Sequence, residues 1–217
     1  MSANELLGDS TLAGTDEWLA LCDELLVGLV HAVNNRVAAL SACSELAALG
    51  DSQMLNDGVL ALEVERLRRA SSLLELLPAR DRPAEAVEVG PALQDAMQLH
   101  AHHPRIRAME EGVTWQGTIH PVRTPRWALV RLLLLFVDAV KMTAHEARQE
   151  RFELEISGED DAVRLRGRAR RSRMTYATGL AALCGGTLVG EGEWLVLTLP
   201  TLQALRRRER LARGGMV

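Results

Sequence analysis

The chain has 217 residues, 47% hydrophobic and 25% charged, with a formal net charge of −4, which is core material for one ordinary domain or two small ones. That acidity argues against general affinity for nucleic acid or anionic membrane, and an aromatic share of only 3% implies an aliphatic, helix-rich core. Cys22, Cys43 and Cys184 form no CxxC pair and read as reduced thiols of a cytoplasmic protein.

The opening "MSANELLGDSTLAG" has neither a basic leader nor an apolar signal core. The longest unbroken apolar run, "LLLLFV", is far shorter than the roughly 20 residues that span a bilayer, so no membrane association is expected. Thr15, Asp16 and Glu17 resemble a helix start, a capping hydroxyl followed by acids at the positive end of the helix dipole. Helical pattern then continues to Gly50. Asp51 and Ser52 restart a second helix that runs through "LALEVERLRRASSLLELL" and stops before Pro78. Two helices joined by so short a turn form an antiparallel hairpin. Alone it leaves its apolar stripes half covered, so it is expected to pair with a second copy as a four-helix bundle.

"PARDRPAE" (78–85) reads as a linker, and the pattern changes after it. "AVEVG" alternates like a strand. Gly90-Pro91 opens a helix to about His102, "GVTWQG" and "TIHPV" are short strands, and Pro125 starts the apolar helix "RWALVRLLLLFVDAVKMTA". "RFELEIS" and "AVRLRGR" alternate as strands, "RMTYATGLAALCGG" is a helix with a glycine stop, "TLVGEG" and "WLVLTLP" form a hairpin, and "LQALRRRERLAR" is a basic helical tail. The fold class expected is α+β: a helical hairpin over 1–80, an α/β sandwich with a mostly antiparallel sheet over 86–203, and a basic tail over 204–217. Trp115, Trp127 and Trp194 read as core.

The first helix carries "GLVHAVNNRVAAL" (28–40). At about 100° per residue, Leu26, Leu29, Val33, Val37 and Leu40 fall on one stripe that Leu19 and Cys22 extend. His31 lies about 200° from Val33, on the opposite face, with Glu24, Asn35 and Ala38. Gly28 and Ala38 are small, so a partner's active site would reach the imidazole easily, and imidazole is nucleophilic near neutral pH. A solvated helix-face histidine meets the same description. Asn34 and Asn35, poor helix formers in mid-helix, tilt the balance towards function.

"LVHAVNNRVAAL" resembles the phosphoacceptor box of two-component histidine kinases, which lies on the first helix of a dimerising hairpin. "RWALVRLLLLFVDAVKM" resembles their nucleotide-binding helix, and "GLAALCGGTLVGEGEWLVLTLP" their terminal helix, glycine stop and closing hairpin. The ordered set spans residues 16 to about 200. Four elements of ATP use depart from the family. The two asparagines of the nucleotide helix are replaced by Leu134 and Asp138. "VRLRGRARRSRM" lacks the adenine-reading acid, about four residues (168–171) stand where a long glycine-rich lid belongs, and the acid after the histidine is Ala32. The resemblance is therefore to dimeric histidine phosphotransferases of bacterial phosphorelays, with a degenerate kinase-type ATPase domain.

It implies that His31 carries a phosphoryl group between receiver-domain aspartates without ATP. Asn35 would assist, and Gly28, Asn34, Arg36 and Ala38 would form the docking surface. The partners implied are a second copy and response-regulator receivers or a hybrid kinase. No cofactor would be bound by this chain, and Mg²⁺ would come on the receiver. Three alternatives stay open: a non-catalytic adaptor or pseudokinase, an active kinase with unusual nucleotide contacts, and nucleic-acid binding by the arginines of 164–173, which otherwise form a solvated strand face or an acidic-partner patch. His100, His102 and His103 in "HAHHP" lack an acid or cysteine at standard spacing, so no metal site is expected.

Overall fold

The computed structural model describes residues 12–49, 58–78, 83–106, 109–170 and 174–214. Helix α1 spans Leu12–Ala48 and α2 Val59–Leu74, antiparallel to it. Since α1 is already helical at Leu12, Thr15 lies inside its first turn and is not its cap. The expected restart at Asp51 and Ser52 falls outside the described residues. Gly58 takes a left-handed φ of 72° and turns the chain into α2.

After the hairpin come β1 (Glu85–Val87), α3 (Val89–His100), β2 (Glu110–Gln116), β3 (Val122–Thr124) and α4 (Arg126–Glu146). Then follow β4 (Arg151–Gly158), β5 (Ala162–Arg168), α5 (Thr175–Leu183), β6 (Thr187–Glu191), β7 (Trp194–Pro200) and α6 (Leu202–Gly214). The main sheet has the order β2-β4-β5-β7-β6, parallel only between β2 and β4. β1 and β3 form a separate antiparallel pair. The α5 stop is as expected: Gly185 has φ 72°, and the Gly185 and Gly186 amides donate to the Ala182 and Ala181 carbonyls.

Alternation sets the layers. Phe152, Leu154 and Ile156 of β4 and Val163 and Leu165 of β5 point to one face, where α4, buried along most of its length, covers them. Trp115 is an exception to the expected core placement at 47% exposed. It faces the helices, but β2 is the sheet edge, and the start of α3 at Gly90 lies against its ring. Trp127 and Trp194 are half-buried.

The hydrophobic core continues from the sandwich into the first half of α1, where Trp18, Leu21, Leu25 and Leu29 are buried with α4 and α5 residues. The stripe expected from the helical wheel is only partly covered in the single chain, with Leu29 buried. Leu19, Leu26 and Val37 are exposed, and so is Val30. The helix has two apolar faces about 100° apart, and the sandwich takes the one through Trp18 and Leu25. By length and composition α1 could cross a bilayer (Thr15–Ala48, mean hydropathy 1.3). Here its charged residues Glu24 and Arg36 are instead ion-paired with other elements of the chain.

Candidate functional site

His31 is exposed at the middle of α1. One turn on, the Asn35 amide nitrogen lies 3.2 Å from His31 Nε2. An amide nitrogen only donates, so Nε2 accepts from Asn35 in the tautomer that carries its proton on Nδ1. Asn35 thus holds the ring in place and has to release Nε2 before that nitrogen can act as a nucleophile. Asn34 and Ala38 are exposed beside them.

Two of the expected docking residues are occupied within the chain. Gly28 is buried: a Cβ there would run into the His102 carbonyl, so glycine is what lets the loop after α3 lie on α1. Arg36 donates to both oxygens of Glu63 on α2, at 3.0 and 3.3 Å. Arg66 reaches the same carboxylate at 2.6 Å. Burial pushes the Glu63 carboxyl up, but the two guanidiniums outweigh it and hold it below its ordinary value. Arg36 is thus a brace between α1 and α2, for a sequence reason invisible locally: its partner lies 27 residues on.

The "HAHHP" histidines also brace the molecule. His100 is fully buried, its Nε2 3.0 Å from Asp138 Oδ1 on α4. His103 Nε2 lies 2.5 Å from Glu24 Oε2 on α1, while its Nδ1 accepts the Arg105 amide. The two rings stack at 5.2 Å, 7° from parallel, and Arg105 adds a second ion pair to Glu24 at 2.6 Å. The chain Glu24–His103–His100–Asp138 thus ties α1, two turns before His31, to α4. Burial lowers the His100 pKa, more than Asp138 raises it. No group of three or more His, Cys, Asp or Glu placed to hold a metal occurs among the described residues.

Leu134 and Asp138, at the positions of the family's asparagines, are both engaged in packing. Leu134 is wholly buried in the core, and Asp138 is the His100 partner. One turn on, Lys141 is buried, 4.6 Å above the Phe152 ring and 3.8 Å from Glu111. Burial lowers its pKa, against the pull of Glu111 and Asp138. A cleft of about 860 Å³ opens at the far end of α4, between Thr143, Arg151 and Arg170, with no lining residue from α1 or α2.

Arg131 is not among the expected site residues, yet it carries the hairpin–sandwich joint. It is buried, donates to the Leu77 carbonyl and to the Tyr176 hydroxyl, and lies 4.4 Å over the Trp18 ring. An arginine inside an apolar helix was the available clue, since a buried guanidinium must have partners. Of the 164–173 arginines, Arg166 stacks 4.0 Å over Trp194 and pairs with Glu155, Arg168 pairs with Glu193, and Arg170 with Glu146. Arg164 is exposed, and Arg171 and Arg173 lie outside the described residues. Burial pushes the Cys22 and Cys184 thiols up to about 11, so both are held protonated.

No family model and no curated protein matches the chain. Among solved structures it is similar to the mycobacterial sensor histidine kinase MprB, at 14% identity over 54% of this chain and 97% of that one, with a TM-score of 0.44. It is similar to a bacterial phosphotransferase at 14% identity, over 83% and 95% of the chains, with a TM-score of 0.41. It is also similar to the histidine kinase ThkA in complex with the response regulator protein TrrA, at 11% identity, over 87% and 64%, with a TM-score of 0.45. The likeness is one of element arrangement and extends to no activity.

Proposed function

We propose that the chain is a dimeric histidine phosphotransferase that carries a phosphoryl group between receiver-domain aspartates on His31, without ATP. The observation that carries this reading is the exposed His31 ring, with Nε2 oriented by Asn35 on an otherwise open helix face. In the forward step the Nε2–P bond forms as the aspartyl O–P bond breaks, and the bonding pair leaves on the carboxylate. A second receiver's carboxylate reverses the exchange. Mg²⁺ held by each receiver supplies charge neutralisation, so His31 and Asn35 have to supply position. The filled positions at Leu134 and Asp138 support the absence of nucleotide chemistry. The test is to incubate the protein, and its His31→Ala variant, with phosphorylated receiver domains and separately with labelled ATP. Label arriving from receivers only, and only with His31 present, is expected; label from ATP alone would overturn the reading.

A second reading is a non-catalytic adaptor for response regulators. The Asn35 amide favours it, because it occupies the Nε2 lone pair at rest. An adaptor would keep its signalling output in His31→Ala, whereas a phosphotransferase loses it.

A further inference from the structure

A groove runs between α2 and α3 in two parts, of about 330 Å³ and about 340 Å³, that share Arg69, Leu73 and Gln98. One exposed hydrogen bond divides them, Arg69 Nε donating to Gln98 Oε1 at 3.0 Å. The first part opens at Ala32 and Arg36, each the next residue after His31 and Asn35. The second ends at Asp95 and Arg126.

The charges are unequal. Arg36, Arg66, Arg69 and Arg126 line the groove, with Asp95 the one lining acid. Asp95 is already paired with Arg126 at 2.6 Å, and the Glu63 carboxylate serves both Arg36 and Arg66. Arg69 donates to an uncharged amide and has no ion pair among the described residues. The groove therefore has excess positive charge, and it opens on α1 within a turn and a half of His31 along the helix, on a chain whose net charge is −4.

We infer that this groove seats an acidic segment of the receiver while it exchanges phosphate with His31, and that Arg69 is a partner-selecting residue. The inference rests on the phosphotransfer reading above. Two observations favour a protein segment over a small anion. The lining from Arg66 to Leu73 of α2 extends about 10 Å at 1.5 Å per residue, longer than a phosphate. An aspartyl phosphate whose Mg²⁺ is held by carboxylates also brings an acidic rim to His31, complementary to these arginines.

The experiment uses the full chain and two phosphate sources. Phosphoramidate, a small donor that modifies imidazole directly, reports on His31 alone. Receiver domains loaded from acetyl phosphate report on docking. Arg69→Glu is expected to raise the half-saturating receiver concentration by about tenfold, with an unchanged rate at saturation and unchanged phosphoramidate labelling. Arg69→Lys should stay near the parent. Ser72→Glu, which places a carboxylate in the groove at an exposed position, should act in the same direction as Arg69→Glu while keeping the Arg69 side chain. An unaltered half-saturating concentration in both acidic variants overturns the groove while leaving His31 chemistry standing. Slower phosphoramidate labelling with unaltered receiver saturation overturns it too, in favour of a small-anion site. If the parent protein takes no label from either source, the phosphotransfer reading falls and the groove with it.

Discussion

His103 Nε2 donates to Glu24 Oε2 at 2.5 Å, and this contact fixes the loop after α3 on the helix face that presents His31 two turns later. The imidazole is therefore displayed from a stretch of helix whose N-terminal side is clamped and whose C-terminal side, at Asn35 and Ala38, is open. The clamp needs Gly28. Gly28→Ala should force the His102 carbonyl away and cost about 1–3 kcal/mol of stability, the usual range for an overpacked contact. Gly179→Ala, in a helix and with open space around its Cβ, should be neutral or stabilise by up to about 1 kcal/mol. Thermal unfolding of the two variants side by side checks both; equal midpoints would show that the loop does not need the glycine.

The clamp should also be sensitive to acid. His100 is held neutral by burial, with its Nδ1 unpartnered and Asp138, Lys141 and the His103 ring around it. Its folded pKa lies below the ordinary 6.5, so between the two values the unfolded chain binds more protons. Stability is complete above pH 6.5 and declines as pH falls from there towards the folded pKa. Melting curves between about pH 7.5 and about pH 5.5 should show this decline, and His100→Phe should flatten it, since a phenyl ring fills similar space and does not titrate. An unchanged slope in His100→Phe would assign the acid sensitivity to another group.

Arg131 joins three elements at once, so truncating it removes several interactions together. Arg131→Ala leaves the Leu77 carbonyl without this donor and takes the cation from the Trp18 face. A loss of about 2–4 kcal/mol is expected from the lost hydrogen bonds and cation–π contact, read by denaturant unfolding. Arg131→Lys should recover only part of this, because an ammonium cannot span the Leu77 carbonyl and the Tyr176 hydroxyl as the planar guanidinium does. Full recovery by lysine would mean that charge, not geometry, holds the joint.

Much of the sandwich was legible because its elements announce themselves locally. "RFELEIS" and "AVRLRGR" alternate with period two, Gly185 marks the end of α5, and Pro125 precedes α4. Of the candidate site, the shared exposed face of His31 and Asn35 was legible from the wheel. What could not be read was which of α1's apolar faces the sandwich takes. Trp18, Leu21, Leu25 and Leu29 form a stripe as good as Leu19, Leu26, Val30 and Val37, and periodicity alone does not rank two stripes. The burial of Gly28 and the ion pair of Arg36 were not legible for a related reason. Their partners, His102 and Glu63, come from distant segments, and a helical wheel shows only which way a residue points.

The second stripe yields the last prediction. Leu19, Leu26, Val30 and Val37 are exposed along one line of α1, and Leu60 and Val64, one turn apart on α2, are exposed as well. Exposed apolar residues lined up on a helix point to a protein contact, and the proposed dimer would bury them as a four-helix bundle. Val30→Glu and Val37→Glu replace residues already facing solvent, so each should leave the fold of the single chain intact. In the dimer the same carboxylates would be buried without a partner, at a cost of several kcal/mol per charge. Analytical ultracentrifugation should therefore show a dimer for the parent chain and a monomer for the double variant, with matching circular dichroism. Because His31 lies well around the helix from this stripe, the monomeric variant should still take label from phosphoramidate. A parent chain that sediments as a monomer, or a double variant that remains a dimer, would remove the stripe as the dimer contact.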